Sequence, residues 1–232
     1  MTSNFINIYI HKEPFDYLKM PLPSCRKNHI KTVDLLEQSY SVLIWRLLDT
    51  VVSRDFKVTL NSLHPKKLET GRWLFDKYFI SLSHSRGFYA IAISSQPIGI
   101  DVQKDVEALA HPKRWSKDEK GVLEKSWTEA YIALWTRKEA LYKYLDPGIK
   151  FLGNEKKIDT SPYKQYFKTW LYNGNPFAGV SICSKLINDG EKYDFFFDTN
   201  LPLEHITEID EDKVFNRKKL IGATITHFKY KT

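Results

Sequence analysis

The sequence predicts an α+β protein. One long stretch carries apolar residues at helical spacing, capping signatures mark further helices in the second half, and strand-like runs joined by tight turns lie beside them as antiparallel neighbours. Residues 4–10 (NFINIYI) alternate and read as a strand. A loop with Pro14, Pro21 and Pro23 follows. Ile30, Val33, Leu36, Tyr40, Leu43, Leu47 and Val51 then recur three and four residues apart, which predicts a long helix. Residues 56–62 (FKVTLNS) suggest a strand. FISLSHS at 79–85 and GFYAIAIS at 87–94 read as two strands turning at Arg86-Gly87. Gln96-Pro97 breaks that run, and IGIDVQ at 98–103 resumes as a strand.

Two capping-box signatures mark helix starts in the second half: Ser116 with Glu119, and Ser126 with Glu129. The second helix is expected over about 127–144, stopped by Asp146-Pro147-Gly148. QYFKTWLYNGNPFAGVSICS reads as a hairpin turning at Asn173-Gly174, and KYDFFFDT and ATITHFKY as two further strands. GFYAIAIS and PFAGVSICS, each after a long helix and another strand, form a faint internal echo.

The chain of 232 residues fits one large domain or two small ones. With 42% hydrophobic and 27% charged residues it can bury a core, which excludes a disordered chain. No run approaches the ~20 apolar residues of a membrane span. The N-terminus shows no basic stretch followed by an apolar one, so no signal peptide is expected. Cys25 and Cys183 are too few to staple a scaffold and lack metal-finger spacing, and a reducing cytoplasm is the expected location. The net charge of +7 favours encounters with anions: nucleic acid, anionic lipid, phosphorylated small molecules or an acidic protein. The basic residues form no dense arm, and a solvated surface explains them as well.

Three groups of residues carry possible chemistry. On the strand Gly99–Gln103, Asp101 and Gln103 share one face while Ile100 and Val102 take the other. A carboxylate at the end of a buried strand is more often a turn or cap residue than a ligand. On the second helix, Trp135, Glu139 and Lys143 line up four residues apart. A surface Glu–Lys pair of ~0.3–0.5 kcal/mol is the plain alternative. Between two apolar strands, Ser83-His84-Ser85 with Arg86-Gly87 offers a histidine, hydroxyls and turn N–H groups to an anion, or is simply a polar turn.

In their order and spacing, SLSHSRGFYAIAISSQPIGIDVQ, then RWSKDE, then WTRKEALYK resemble the 4′-phosphopantetheinyl transferases. The resemblance is to the larger, monomeric type that serves surfactin-like peptide synthetases, and it is strong over residues 71–145. It implies two similar α+β halves related by a pseudo-twofold axis, each a small antiparallel sheet packed on a long helix. The halves would be residues 1–98, contacting coenzyme A, and 99–232, carrying the metal site and catalytic helix. The implied activity moves the 4′-phosphopantetheine arm from coenzyme A to a serine of an apo acyl, peptidyl or aryl carrier protein, releasing adenosine 3′,5′-bisphosphate.

The resemblance further implies that Asp101 and Glu139 hold Mg²⁺, that Glu139 is the general base, and that Lys143 contacts the pyrophosphate. Lys138 supports the site or the phosphates. Ser83 and His84 match the family's phosphate-contacting motif, and Arg72 falls at the adenine and phosphate pocket. Arg26, Lys27 and Lys31 lie where the family places 3′-phosphate contacts, although surface solvation explains each equally. Three departures stand out. Gln103 replaces a family glutamate, and its oxygen brings a metal ligand without charge. Tyr144-Leu145-Asp146-Pro147-Gly148 replaces a glycine-rich turn, and Arg72-Trp73 lacks the family proline. Glu119 has a family counterpart, but capping at Ser116 suffices to explain it. The rival reading is a non-catalytic module that binds coenzyme A or nucleic acid, for which Gln103 is the best argument. No nucleic-acid-binding motif supports the second form.

Overall fold

A tight hairpin organises the first sheet. Strands β4 (Phe79–Ser85) and β5 (Phe88–Ser94) pair antiparallel from Phe79↔Ser94 to Ser85↔Phe88. Their two-residue connection places Arg86 at φ 36° and Gly87 at φ 84°. Left-handed backbone at both central positions matches the right-handed twist of the flanking strands. Strand β1 (Ile6–Lys12) adds to β5 antiparallel. The computed structural model describes residues 4–12, 22, 26, 35–69, 72–104, 128–145, 164–172, 175–187, 195–198 and 206–210.

Both faces of this sheet are buried, and the alternation sorts them. Tyr9, Ile80, Tyr89, Ile91 and Ile93 pack with Leu43, Ile44, Leu47, Leu48, Val51 and Val52 of helix α1 (Leu35–Asp55). Those six helical positions recur at the spacing that keeps one face against the sheet. Ile8, Ile10, Phe88, Ala90 and Ala92 point the other way, into a second apolar cluster. Ile30 and Val33 of the expected helix lie outside the described residues.

FKVTLNS does not form a strand. Residues Leu60–Leu63 make a 3₁₀ turn whose N-terminus is capped by Thr59, its hydroxyl oxygen accepting from the Ser62 N–H at 3.3 Å. The turn buries Leu60 and Leu63, three residues apart, beneath α1. Local capping outweighs the alternating pattern. A short ribbon of β2 (Lys66–Lys67) and β3 (Trp73–Leu74) follows.

The second sheet has the order β10-β7-β8-β6. It comprises β6 (Gly99–Gln103), β7 (Gln165–Tyr172), β8 (Asn175–Cys183) and β10 (Ile206–Asp210), all antiparallel. Ile100, Val102, Ala178, Val180 and Ile182 face the second cluster and meet the first sheet there. Helix α2 (Thr128–Leu145) covers the opposite face through Ala140 and Leu141 against Cys183. The layers therefore run α1, first sheet, second sheet, α2. Strand β9 (Phe195–Asp198) leaves this order and pairs parallel with β1, opposite Ile8–His11, so a strand from the C-terminal half completes the first sheet. The Ser116 and Ser126 caps, the Asp146-Pro147-Gly148 stop, the Asn173-Gly174 turn and ATITHFKY lie outside the described residues.

Two glycines set how closely α2 approaches. A Cβ on Gly99 would stand 2.0 Å from the Ala140 carbonyl oxygen and 2.6 Å from the Tyr144 nitrogen. One on Gly179 would stand 2.2 Å from Ile132 Cγ2. Contacts that short do not occur between real atoms, so the helix rests on bare backbone at both strands.

Candidate functional site

Where β4 and β6 meet, two sheet edges run side by side without a backbone ladder. The outward N–H groups of β6 donate instead to serine hydroxyls of β4. Ile100 N–H reaches Ser81 Oγ at 3.1 Å, Val102 N–H reaches Ser83 Oγ at 3.3 Å, and Lys104 N–H reaches Ser85 Oγ at 3.2 Å. The period of two places all three serines on one side of β4, and the row satisfies donors that a buried edge would otherwise strand.

On the other face of β6, Gly99 and Asp101 look toward α2. Because Gly99 admits the turn Ala140–Tyr144, the Lys143 ammonium reaches the Asp101 carboxylate, Nζ to Oδ1, at 2.7 Å. Ser83 Oγ donates to the same oxygen at 2.6 Å. The Asp101 side chain is 7% exposed and that of Lys143 31%. Burial pushes the Asp101 carboxyl up from the ordinary carboxylate range, and Lys143 and Ser83 oppose that shift.

His84 points from β4 toward α1, with the Tyr40 ring 5.3 Å from its own. Burial, with the charge of Lys143 adding to it, lowers His84 to about 4, so it is a neutral imidazole at pH 7. From Tyr40 a corner continues to Ser41, whose Oγ accepts from Arg26 Nε at 3.0 Å. The Arg26 guanidinium lies 5.9 Å from the ring centres of both Trp45 and Trp73. Arg26 is buried, which removes surface solvation as its explanation. Arg72, next to Trp73, is half-buried, and its carbonyl accepts from Leu68 N–H at 2.7 Å.

The fold thus brings Ser83, Asp101 and Lys143 into direct contact, with His84 in the field of Lys143. Glu139 lies one helical turn before Lys143 and is half-buried, as is Lys138. Gln103 ends β6 half-buried, its Nε2 donating to the Lys104 carbonyl at 3.3 Å. Arg72 precedes Trp73, one of the two rings beside the Arg26 guanidinium. Lys31 lies outside the described residues. Among the described residues no group of three histidine, cysteine, aspartate or glutamate side chains could hold a metal ion. Sequence reading missed the bonds of Ser81 and Ser85 to β6, and it missed Tyr40 as the neighbour of His84. The alternate serines of S-L-S-H-S were the available signal for the first two, while Tyr40 read as an ordinary core position of α1.

Among the described residues no helix is long and apolar enough to cross a membrane. No curated protein matches the chain. Residues 97–193, which contain β6, α2, β7 and β8 and with them Asp101, Glu139 and Lys143, match the family model of the 4′-phosphopantetheinyl transferase superfamily.

Proposed function

We propose that this chain transfers the 4′-phosphopantetheine arm of coenzyme A to a serine of an apo carrier protein, releasing adenosine 3′,5′-bisphosphate, in the manner of the surfactin-synthetase-activating transferases. The observation that carries this reading is the buried Asp101, bonded to Lys143 from the facing helix inside the matching segment. The coenzyme would lie along the junction of residues 1–98 and 99–232, with His84 on one side and Asp101 on the other.

The residues present fit a Mg²⁺ ion. Asp101 is a carboxylate whose burial favours a further positive neighbour, and Glu139 and Gln103 are oxygen donors on the adjoining helix and strand end. One or two carboxylates with phosphate oxygens and water make the usual environment of this ion. Asp101, Glu139 and Gln103 would hold it, and bound there it supplies neutralising charge for the leaving bisphosphate.

The remaining roles belong to the chain. The carrier serine Oγ forms a bond to the β-phosphorus as the bond from that phosphorus to the bridging oxygen breaks. Glu139 accepts the serine proton, and Lys143 moves its ammonium to the pyrophosphate oxygens. Neutral His84 donates a ring N–H to a phosphate. Arg72, Arg26 and Lys31 anchor the nucleotide end, and Lys138 adds positive charge beside the helix. The net charge of +7 suits both a polyanionic coenzyme and an acidic carrier domain. We place the enzyme in the cytoplasm as a monomer.

The test is the intact mass of apo acyl, peptidyl and aryl carrier proteins after incubation with this chain, coenzyme A and Mg²⁺. A gain of one phosphopantetheine arm on a serine, abolished by chelator, is the expected result. No gain on any carrier, with coenzyme A still bound, would replace the transferase with a coenzyme-binding module.

A further inference from the structure

We infer that Ser83 is a positioning residue for Asp101 and not a ligand of the coenzyme, an assignment that rests on the function proposed above. The motif Ser83-His84 suggests that both side chains reach the same phosphates. In a strand, consecutive side chains oppose each other. Ser83 pairs with Ala90, on the face between the sheets, and His84 pairs with Tyr89, on the face under α1. The two side chains therefore leave β4 in opposite directions.

The Ser83 hydroxyl is committed where it lies. It is 6% exposed, accepts from the Val102 N–H and donates to Asp101 Oδ1. A hydroxyl has one proton, and here the carboxylate takes it. Ser81 and Ser85 accept the N–H groups of Ile100 and Lys104 in the same way, and of the three it is Ser83 that also bonds the carboxylate. The outer two fix the register of β6 against β4, while the middle one also orients Asp101. Lys143 donates to the same Oδ1 from the opposite element, so that oxygen is held from two sides and the direction of Oδ2 follows. A neighbour that orients a metal-binding carboxylate typically changes metal affinity ~10–100-fold when removed.

The test compares wild type, Ser83→Ala, Ser83→Thr and Ser81→Ala in the full chain. Mn²⁺ binding is followed by electron paramagnetic resonance, and metal-free coenzyme A binding by calorimetry. Ser83→Ala should weaken Mn²⁺ binding about 10-fold and leave metal-free coenzyme A affinity as it was. Ser83→Thr, which keeps the hydroxyl, should recover Mn²⁺ binding. Ser81→Ala, which cuts an equivalent bond of the same seam, should leave Mn²⁺ affinity unchanged. Weakened metal-free coenzyme A binding with unaltered Mn²⁺ affinity in Ser83→Ala would make Ser83 a coenzyme ligand and overturn the inference. If Ser83→Ala does not fold, the near-isosteric Ser83→Cys takes its place. Crystal structures of wild type and variant supply a readout independent of the ion. A changed Asp101 rotamer supports the positioning role, and an unchanged one refutes it. If wild type binds neither Mn²⁺ nor coenzyme A, the proposed function fails, and the rotamer comparison still decides the role of Ser83.

Discussion

Gly99 and Ala140 touch backbone to backbone: a single methyl on Gly99 would fall 2.0 Å from the Ala140 carbonyl oxygen. That contact sets the height of α2 over β6, and the height lets Lys143 reach Asp101. Gly99→Ala must push helix and strand apart. We expect a loss of about 1–3 kcal/mol by urea unfolding, the range for an overfilled core site. Transfer activity should fall further than stability explains, because the displacement acts on the site itself.

The Lys143–Asp101 pair yields a second prediction. Lys143→Met strands a buried carboxylate and should destabilise by about 1–3 kcal/mol. This is below the ~3–5 kcal/mol of a fully buried pair because Lys143 keeps 31% of its side chain in solvent. Adding Asp101→Asn should recover part of the loss. Mg²⁺ should raise the melting temperature of Lys143→Met more than that of wild type, since the carboxylate then lacks its own cation. Differential scanning calorimetry with and without Mg²⁺ measures both effects.

His84 gives stability a pH dependence of fixed sign. Burial lowers its folded value to about 4 from the ordinary 6.5 of a histidine, so between these limits the unfolded chain binds more protons than the folded one. The contribution of His84 to stability is therefore complete above pH 6.5 and is lost as pH falls toward 4, at up to ~1.4 kcal/mol per pH unit. Urea midpoints at pH 7 and pH 5 should differ less in His84→Gln than in wild type. An anion bound at His84 favours the imidazolium, so coenzyme A binding near pH 5.5 should take up a proton, visible as a buffer-dependent heat in calorimetry.

Cys183 sits buried between β8 and α2, and burial pushes its thiol up to about 12. It should resist alkylation at pH 8 in a Cys25→Ser background and react at once in denaturant. Rapid labelling of the native chain would show that the β8–α2 contact opens readily.

Much of this arrangement is legible in single residues, and the remainder fails for identifiable reasons. Alternation placed Ile100 and Val102 in the core and Asp101 on the other face, as found. Helical spacing set Glu139 above Lys143. The bond from Lys143 to Asp101 was not legible, because it depends on Gly99 meeting a helix about forty residues onward, and no local pattern encodes that meeting. FKVTLNS misled because alternation and a capped turn look alike until Thr59 is seen bonding Ser62. For Ser83 and His84, the period of two already separates their side chains, and the motif obscured it. FFFD reads plainly as a strand, yet nothing near it names β1 as its partner.

That last pairing governs how the protein is made. Strand β1 is synthesised well before Phe195, which lies opposite Ile8. At a synthesis rate of ~5–20 residues per second, the outer edge of β1 stays uncovered on the ribosome for on the order of 10 s or more. It carries Ile8 and Ile10 through that interval, an apolar template for pairing with another nascent chain. A polypeptide ending before β9 keeps that edge permanently, so its first defect is aggregation during expression, ahead of any loss of catalysis.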